Sequence, residues 1–416
     1  MKEQKEKNSA LKNDALDIIF TSIKKADPYS STLSILKTLR LEGSPLTVLS
    51  VGKAAVPMAK AAEDIFGEKI KTGLVVTKYG HSKGFSSKVF EILESAHPVS
   101  DENSVLAAEK GLEIVSALSE SDVLLVLLSG GGSALFEKSS VPFETQRDIT
   151  KKFLSRGAEI EEINAVRSCV SLVKGGKLAA AAYPAKVLTV ALSDVLGNEK
   201  SAIASGITVA KETDKNEIKR IAEKYLPEYA ALLTQKAEEA TTPKVNDKGF
   251  FFAGDINSLC LAAEEKAREL GYFVADSSRS LTGEARDAAK RLVHSVKERK
   301  GKTAYIFGGE TTVTLKGNGL GGRNQEMTLA AAIELSGKDG IVFVSAGSDG
   351  TDGPTDAAGG IADGKTAFEI QKAGLNPVDE LENNNSYHAL KAADSLIFTG
   401  PTGTNVNDLT LILTDF

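Results

Sequence analysis

The chain has 416 residues, 42% hydrophobic and 25% charged, with a net charge of −6. That length suits two domains, and that composition suits a globular protein. The acidic balance, the absence of tryptophan and 6% aromatic residues argue against a nucleic-acid surface or a base-stacking platform. No apolar run approaches the ~18–20 residues of a membrane span. The N-terminal stretch MKEQKEKNSALKND is highly charged and lacks an apolar signal core, so the cytoplasm is the expected location. Cys169 and Cys260 are far apart, and each lies in a helical pattern. Both are expected to be buried thiols, with no disulfide or metal clamp.

Residues 12–40 read as helical, with Leu33, Ile35, Leu36 and Leu39 packing inward. A repeated unit follows: a short β-rich run, a glycine-containing loop, and often an amphipathic helix. Residues 46–51 lead to Gly52-Lys53 and a helix over 54–65. Residues 72–77 lead to Lys78-Tyr79-Gly80-His81, and 89–95 to His97-Pro98 and a helix over 103–118. Residues 123–128 lead to Ser129-Gly130-Gly131-Gly132-Ser133, and 187–192 to Ser193-Asp194-Val195-Leu196-Gly197. Near-continuous apolar runs mark strands of a parallel sheet covered on both faces. Their alternation with helices predicts a doubly wound α/β domain.

Residues 241–249 (TTPKVNDKG) are polar and contain Pro and Gly, which places a domain boundary there. The alternation then restarts. Strands are expected at 250–253, 273–277, 303–308, 311–316, 341–346 and 410–413, and helices at 256–270, 283–299, 325–336 and 364–373. Ligands of open α/β sheets bind outside the carboxyl ends of strands, where the glycine loops of the first half fall.

Several constellations carry chemistry. The stretch GGETTVTLKGNGLGGRNQE (308–326) holds four glycines in six residues, then Arg323 and an Asn-Gln-Glu trio opening a helix. Such glycine density lets backbone N–H groups approach an anion, and arginine offers a fork of donors for carboxylate or phosphate. Gly317-x-Gly319-x-x-Gly322 also matches the dinucleotide fingerprint, but late in the chain and not in a first βαβ unit. Lys53 is either a solvated turn residue or a charge aimed into the crevice; at a helix start the dipole does not favour it. The 129–133 loop is either a phosphate nest or a tight turn, and no Walker lysine follows it.

In NAVRSCVSLVKGGK (164–177), Val166, Cys169, Val170 and Val173 form a core stripe, and Arg167, Ser171 and Lys174 the opposite one. That second stripe is either a solvated face or a cation cluster turned to a ligand. Asp194 at a strand end is either a cap or a chemical group. The loop SAGSDGTDGPTD (345–356) carries Asp349, Asp352 and Asp356 between glycines, which suits either serial turns or Mg²⁺ held by one or two carboxylates with substrate phosphates. Residues 400–408 (GPTGTNVND) form a further glycine, hydroxyl and amide loop. No Cys/His cluster has metal spacing, and no nucleophile elbow has a plausible partner.

The stretches VGKAAVPMA (51–59), HPVSD (97–101), LLSGGGSALF (127–136), NAVRSCVSLVKGGKLA (164–179), SDVLG (193–197), IASG (203–206), FGGETTVTLKGNGLGGRNQE (307–326), AGSDGTDGPTDAAGG (346–360) and TGPTGTNVNDL (399–409) run in order over nearly the whole chain. Together they resemble the glycerate 2-kinases, whose C-terminal half is called the MOFRL domain. Ser100 and Ile207 stand where that family usually has proline, and Ser348 where it usually has threonine. The resemblance implies a two-domain α/β fold. Residues 1–243 would form a doubly wound, Rossmann-like parallel sheet, and 244–416 a MOFRL-type α/β domain with a mixed sheet.

The resemblance also implies ATP-dependent phosphorylation of the 2-hydroxyl of D-glycerate, giving 2-phosphoglycerate and ADP in the interdomain cleft, with Mg²⁺. Some members are named hydroxypyruvate reductases, so an NAD(P)H-dependent reductase is the alternative; a non-catalytic sugar-phosphate-binding regulator is another. The catalytic candidates are Lys53, Arg323 and Asp194. ATP is expected at Ser129, Gly130, Gly131, Gly132, Ser133, Lys174, Gly319, Gly321 and Gly322. Substrate is expected at Lys53, Arg167, Arg323, Asn324 and Asn405, and metal at Asp194, Asp349 and Asp352. The partners are small molecules, not nucleic acid or membrane, and the oligomeric state is open between monomer and homodimer.

Overall fold

The computed structural model describes residues 2–41 and 44–416. The chain divides into two compact units. One comprises Thr32–Leu192 and Asn198–Ala253. The other comprises residues up to Ser31, the short segment Ser193–Gly197, and Gly254–Phe416. No described helix is long and apolar enough to cross a membrane.

The first unit is built on a six-stranded parallel sheet of β1 (Leu46–Val51), β2 (Ile70–Lys78), β3 (Phe90–Ser95), β4 (Val123–Leu128), β5 (Lys186–Leu192) and β6 (Asp247–Gly254). Central strands β1 (LTVLSV) and β4 (VLLVLL) are buried throughout, as unbroken apolar runs require when both faces are covered. The order is β3-β2-β1-β4-β5-β6. The direction of winding therefore reverses between β1 and β4, the switch point beside which ligands bind in such sheets. The loops that leave the two strands there are Gly52-Lys53 and Ser129–Ser133. Strand β6, expected to begin the second half, is instead the edge of this sheet. The backbone N–H of Val187 donates to the Asn246 carbonyl at 2.9 Å, at the start of that pairing.

The second unit carries a mixed sheet of β7 (Phe273–Leu281), β8 (Lys302–Gly309), β9 (Ile341–Gly347), β10 (Gly359–Asp363), β11 (Leu396–Ile397) and β12 (Asp408–Asp415), ordered β11-β10-β9-β12-β8-β7. Only β7–β8 is a parallel pair. The N-terminal helix Lys2–Lys25 belongs to this unit, where Lys12 pairs with Asp363 at 3.1 Å and Tyr272 donates to Asp14 at 2.8 Å. Antiparallel register aligns Asp408, the first residue of β12, with Gly309 at the end of β8 and Gly347 at the end of β9. Three strand termini thus share one edge, and the polar loops of this half issue from it.

Residues 311–316 do not form the expected strand; Thr312 alone makes a bridge, to Glu284. Side chains satisfy the backbone instead. Glu284 accepts from Thr314 N at 3.0 Å, and Asn384 Oδ1 from Lys316 N at 2.7 Å and Gly317 N at 3.0 Å. Both cysteines are buried free thiols, and burial pushes that of Cys260 up to about 12.

Candidate active site

In the first unit the switch-point loops adjoin. Lys53 N donates to the Gly130 carbonyl at 2.9 Å, and Ala54 N to Ser129 Oγ at 3.0 Å, so Ser129 holds the start of helix Ala55–Phe66. Gly131 has φ +89°, and a Cβ there would lie 2.9 Å from the His97 ring and 3.4 Å from Lys53 Cγ. The position needs glycine for both backbone and space. His81 Nδ1 lies 3.2 Å from the Lys53 carbonyl, which fixes the main chain beneath the lysine. His97 is half-buried. Burial, and then the charges of Lys53 and Lys78, push its imidazole down to about 4, so it is neutral at physiological pH.

Arg167 reaches the same loop, its Nη2 donating to the Ser133 carbonyl at 3.2 Å. Ser133 Oγ meets Ser205 Oγ at 2.8 Å. Lys53, loop 129–133 and Arg167 therefore form one cluster.

Lys174 is oriented differently from its expected role. Its helix ends at Val170, because Ser171 turns extended and its Oγ accepts from Val173 N at 3.2 Å and Lys174 N at 3.1 Å. The chain folds back, and Lys174 is wholly buried against Glu137, away from any ligand-facing surface. Lys177 Nζ caps the exposed carbonyls of that helix end, at 2.8 Å from Ser168 O and 2.6 Å from Ser171 O.

In the second unit the shared strand edge gathers Glu310, Arg323, Asp408 and the amides of 405–407. Arg323 donates through Nε to Asp408 Oδ2 at 2.5 Å, through Nη2 to Asp408 Oδ1 at 3.0 Å, and through Nη1 to Glu310 Oε1 at 2.7 Å. Burial opposes the guanidinium charge, but these carboxylates hold it above the ordinary arginine range. Asp408 is buried, and burial pushes its carboxyl up to about 6 against the pull of Arg323. Asn407 Nδ2 bridges the Asp194 carbonyl at 2.8 Å and Glu310 Oε2 at 3.2 Å, and Asn405 Nδ2 lies 3.5 Å from Asp194 Oδ2. Asp194, Asn405 and Arg323 thus join one polar network.

The other residues expected at this site are committed elsewhere. Asp352 is buried and accepts from Asn324 N at 3.1 Å and Gln325 N at 2.9 Å, capping helix Arg323–Glu334 where an anionic ligand was expected. Asn324 is buried, donating to Asp352 and accepting from Ser345 Oγ at 2.7 Å. The glycines pack on protein: added Cβ atoms would fall 2.5 Å from the Asn383 carbonyl at Gly319, 2.1 Å from Ser386 Oγ at Gly321, and 2.3 Å from Asp352 Cγ at Gly322. Asp349 Oδ1 accepts from Thr351 N at 3.0 Å in a local turn. Among the described residues, no three His, Cys, Asp or Glu side chains are grouped to hold a metal, so Asp194, Asp349 and Asp352 do not form a three-carboxylate site.

The three departures from the family pattern are accommodated. Ser100 Oγ donates to the Ala134 carbonyl at 2.8 Å, Ile207 is buried, and Ser348 Oγ accepts from Val406 N at 2.8 Å. Glu137 and Glu310 have no role of their own in the sequence reading, and Asn407 and Asp408 enter it only as part of the 400–408 loop. The last three lie at strand termini, the one signal that could have drawn attention to them.

A parallel sheet with a cationic glycine-loop cluster at its switch point, and a mixed-sheet unit with an arginine held by two carboxylates, define an anion-handling α/β enzyme. The chain matches the domain of unknown function DUF4147 over residues 14–236 and the MOFRL family over residues 303–408. It is 44% identical over 409 residues to D-glycerate 2-kinase of Thermotoga maritima, covering 96% of this chain and 97% of that relative. It is 38% identical over 428 residues to glycerate 2-kinase of Pyrococcus horikoshii, covering 96% of each. The crystal structure of glycerate kinase from Thermotoga maritima superposes with a TM-score of 0.92 at 43% identity, covering 98% of this chain and 100% of that one. The chain belongs to the MOFRL-domain glycerate 2-kinase family.

Proposed function

We propose that the protein transfers the γ-phosphoryl group of ATP to the 2-hydroxyl of D-glycerate, giving 2-phosphoglycerate and ADP. The observation that carries this is the likeness to a D-glycerate 2-kinase along nearly the full length of both chains. Such transfer is mostly positioning and charge stabilisation. Loop 129–133 takes the nucleotide phosphates, with Lys53 and Arg167 as their cations. Arg323, set rigidly by Asp408 and Glu310, directs its remaining N–H groups to the glycerate carboxylate, with Asn405 beside it. The 2-hydroxyl oxygen bonds to the γ-phosphorus as the bond to the β-phosphate oxygen breaks, and Asp194 accepts the hydroxyl proton.

Among the described residues no three carboxylates are grouped, which suits Mg²⁺ coordinated largely by phosphate oxygens and water. Asp349 is the residue that would hold it, since Asp352 is committed to its helix. When bound, the ion supplies neutralisation of the phosphate charge.

The reductase alternative comes from the names of some family members and would need a nicotinamide site, whereas the glycines of the Gly317–Gly322 fingerprint are taken up by packing against 383–386 and Asp352. A coupled assay with D-glycerate, ATP and Mg²⁺ tests the assignment. ADP release should accompany a product that enolase converts without a mutase. Product needing a mutase first would overturn the 2-position. NADH oxidation with hydroxypyruvate and no ADP release would overturn the kinase, and so would ligand binding with no turnover.

A further inference from the structure

Beneath loop 129–133 one buried carboxylate serves two cations. Glu137 and Lys174 are both wholly buried, and Glu137 Oε2 touches Lys174 Nζ. The same oxygen lies 3.8 Å from Arg167 Nη2, while Oε1 accepts from Ser171 Oγ at 2.9 Å. Arg167 Nη2 also donates to the carbonyl of Ser133, the last residue of the loop. Among the described residues, Glu137 is the only acidic partner of Lys174 and of Arg167. Burial pushes both cations below their ordinary ranges, Lys174 down to about 7. The cluster thus sets two basic side chains against one carboxylate, with Arg167 on the side of the loop.

The geometry explains why the second basic side chain matters. Arginine has five N–H donors in a rigid fork, and among the described residues Arg167 is engaged through Nη2 alone. If Glu137 faced Arg167 by itself, the carboxylate would draw the guanidinium inward and engage it fully. With Lys174 bound to the same carboxylate, Arg167 is anchored at one edge and keeps donors for a ligand.

We propose that Glu137 is a positioning residue for phosphoryl transfer, fixing Arg167 against the glycine loop so that it meets a phosphate group, with Lys174 as the counter-cation that limits the pull of Glu137 on the arginine. This deepens the kinase reading and rests on it for the identity of the nucleotide. It differs from a merely structural buried pair, whose replacement by neutral groups of similar volume is often tolerated.

The double variant Glu137→Gln/Lys174→Met removes both charges at nearly constant volume. It should keep a melting temperature close to that of the unaltered protein, raise KM for ATP by about tenfold or more, equivalent to about 1.4 kcal/mol of binding, and leave kcat less affected. Glu137→Asp keeps the charge but withdraws it by one methylene, and should raise KM in the same direction. A second readout needs no turnover: the rise in melting temperature produced by inorganic phosphate should shrink in both variants. Unchanged KM and unchanged phosphate protection in a folded double variant would overturn the proposal. Should the double variant not fold, the same two unchanged readouts in Glu137→Asp would overturn it. Failure of the kinase reading is separable, because it shows as no glycerate-dependent ADP release by the unaltered protein, while phosphate protection still reports on Arg167.

Discussion

Asp408 grips Arg323 by two donors at once, Nε at 2.5 Å and Nη2 at 3.0 Å, across 85 residues of sequence. Register makes this possible: β12 runs antiparallel between β8 and β9, so its first residue meets the ends of both. The fork geometry means the arginine is aimed as well as charged. Arg323→Lys keeps the charge and loses the aim. The expected outcome is a fall in kcat/KM of about 10²-fold, the size typical of removing an electrostatic stabiliser. Steady-state kinetics with D-glycerate varied would check it, and a near-normal kcat/KM in the lysine variant would remove Arg323 from the mechanism.

Asp408 also makes stability depend on pH. Its folded carboxyl is raised to about 6, above the ordinary aspartate value near 3.8. Between those limits the folded state binds more protons than the unfolded state, so stability falls as pH rises from about 4 to about 6. Every tenfold difference in proton affinity between the two states is worth about 1.4 kcal/mol. Asp408→Asn should therefore show a shallower loss of melting temperature over that window than the unaltered protein. Parallel slopes for the two proteins would contradict the assignment.

Asp352 and Asp349 stand three residues apart, and the structure separates their roles. Asp352 takes two backbone N–H groups of the helix that begins at Arg323. Asp352→Ala should cost about 1 kcal/mol of stability, in the range of a lost helix cap, and lower the melting temperature. Its Mg²⁺ requirement should not move. Asp349→Asn should do the reverse, raising the Mg²⁺ concentration for half-maximal rate while the melting temperature holds. Measuring both quantities on both variants separates the cap from the ligand, and a Mg²⁺ shift confined to the Asp352 variant would exchange the roles.

The contrast between legible and hidden features has a physical pattern. The unbroken VLLVLL run followed by SGGGS exposed a buried strand ending in a backbone-rich loop, because both signals are local. The pairing of Arg323 with Asp408 was hidden, since nothing local fixes which strand lies between β8 and β9. Lys174 was misread for a local reason: the i, i+4, i+7 stripe assumes a helix that continues, and the Ser171 hydroxyl ends it at Val170. The glycines at 317–322 looked like an anion nest because glycine permits close approach. What approaches is the chain itself, at Asn383, Asn385, Ser386 and Asp352.

Gly131 couples the loop to the two side chains most exposed to its position. Its φ of +89° is strained for any residue with a Cβ, and the added atom would press the His97 ring at 2.9 Å and crowd Lys53 Cγ at 3.4 Å. Gly131→Ala should therefore cost about 1–2 kcal/mol in backbone strain and displace Lys53 and His97 from the loop. The loss of kcat/KM should exceed what partial unfolding explains when activity is measured well below the melting temperature. His97 supplies an internal check. Because its imidazole is depressed to about 4, it should stay neutral down to near pH 5, and its ring resonances should hold steady between pH 8 and 5. The folded state takes up fewer protons there than the unfolded state, whose histidine titrates near 6.5, so this residue's share of stability is lost as pH falls from about 6.5 to about 4. In Gly131→Ala the ring is pushed toward solvent, and its titration should move up toward the ordinary range. A His97 resonance that titrates near 6.5 in the unaltered protein would show that the ring does not sit among Lys53, Lys78 and the glycine loop, and the packing at Gly131 would have to be redrawn.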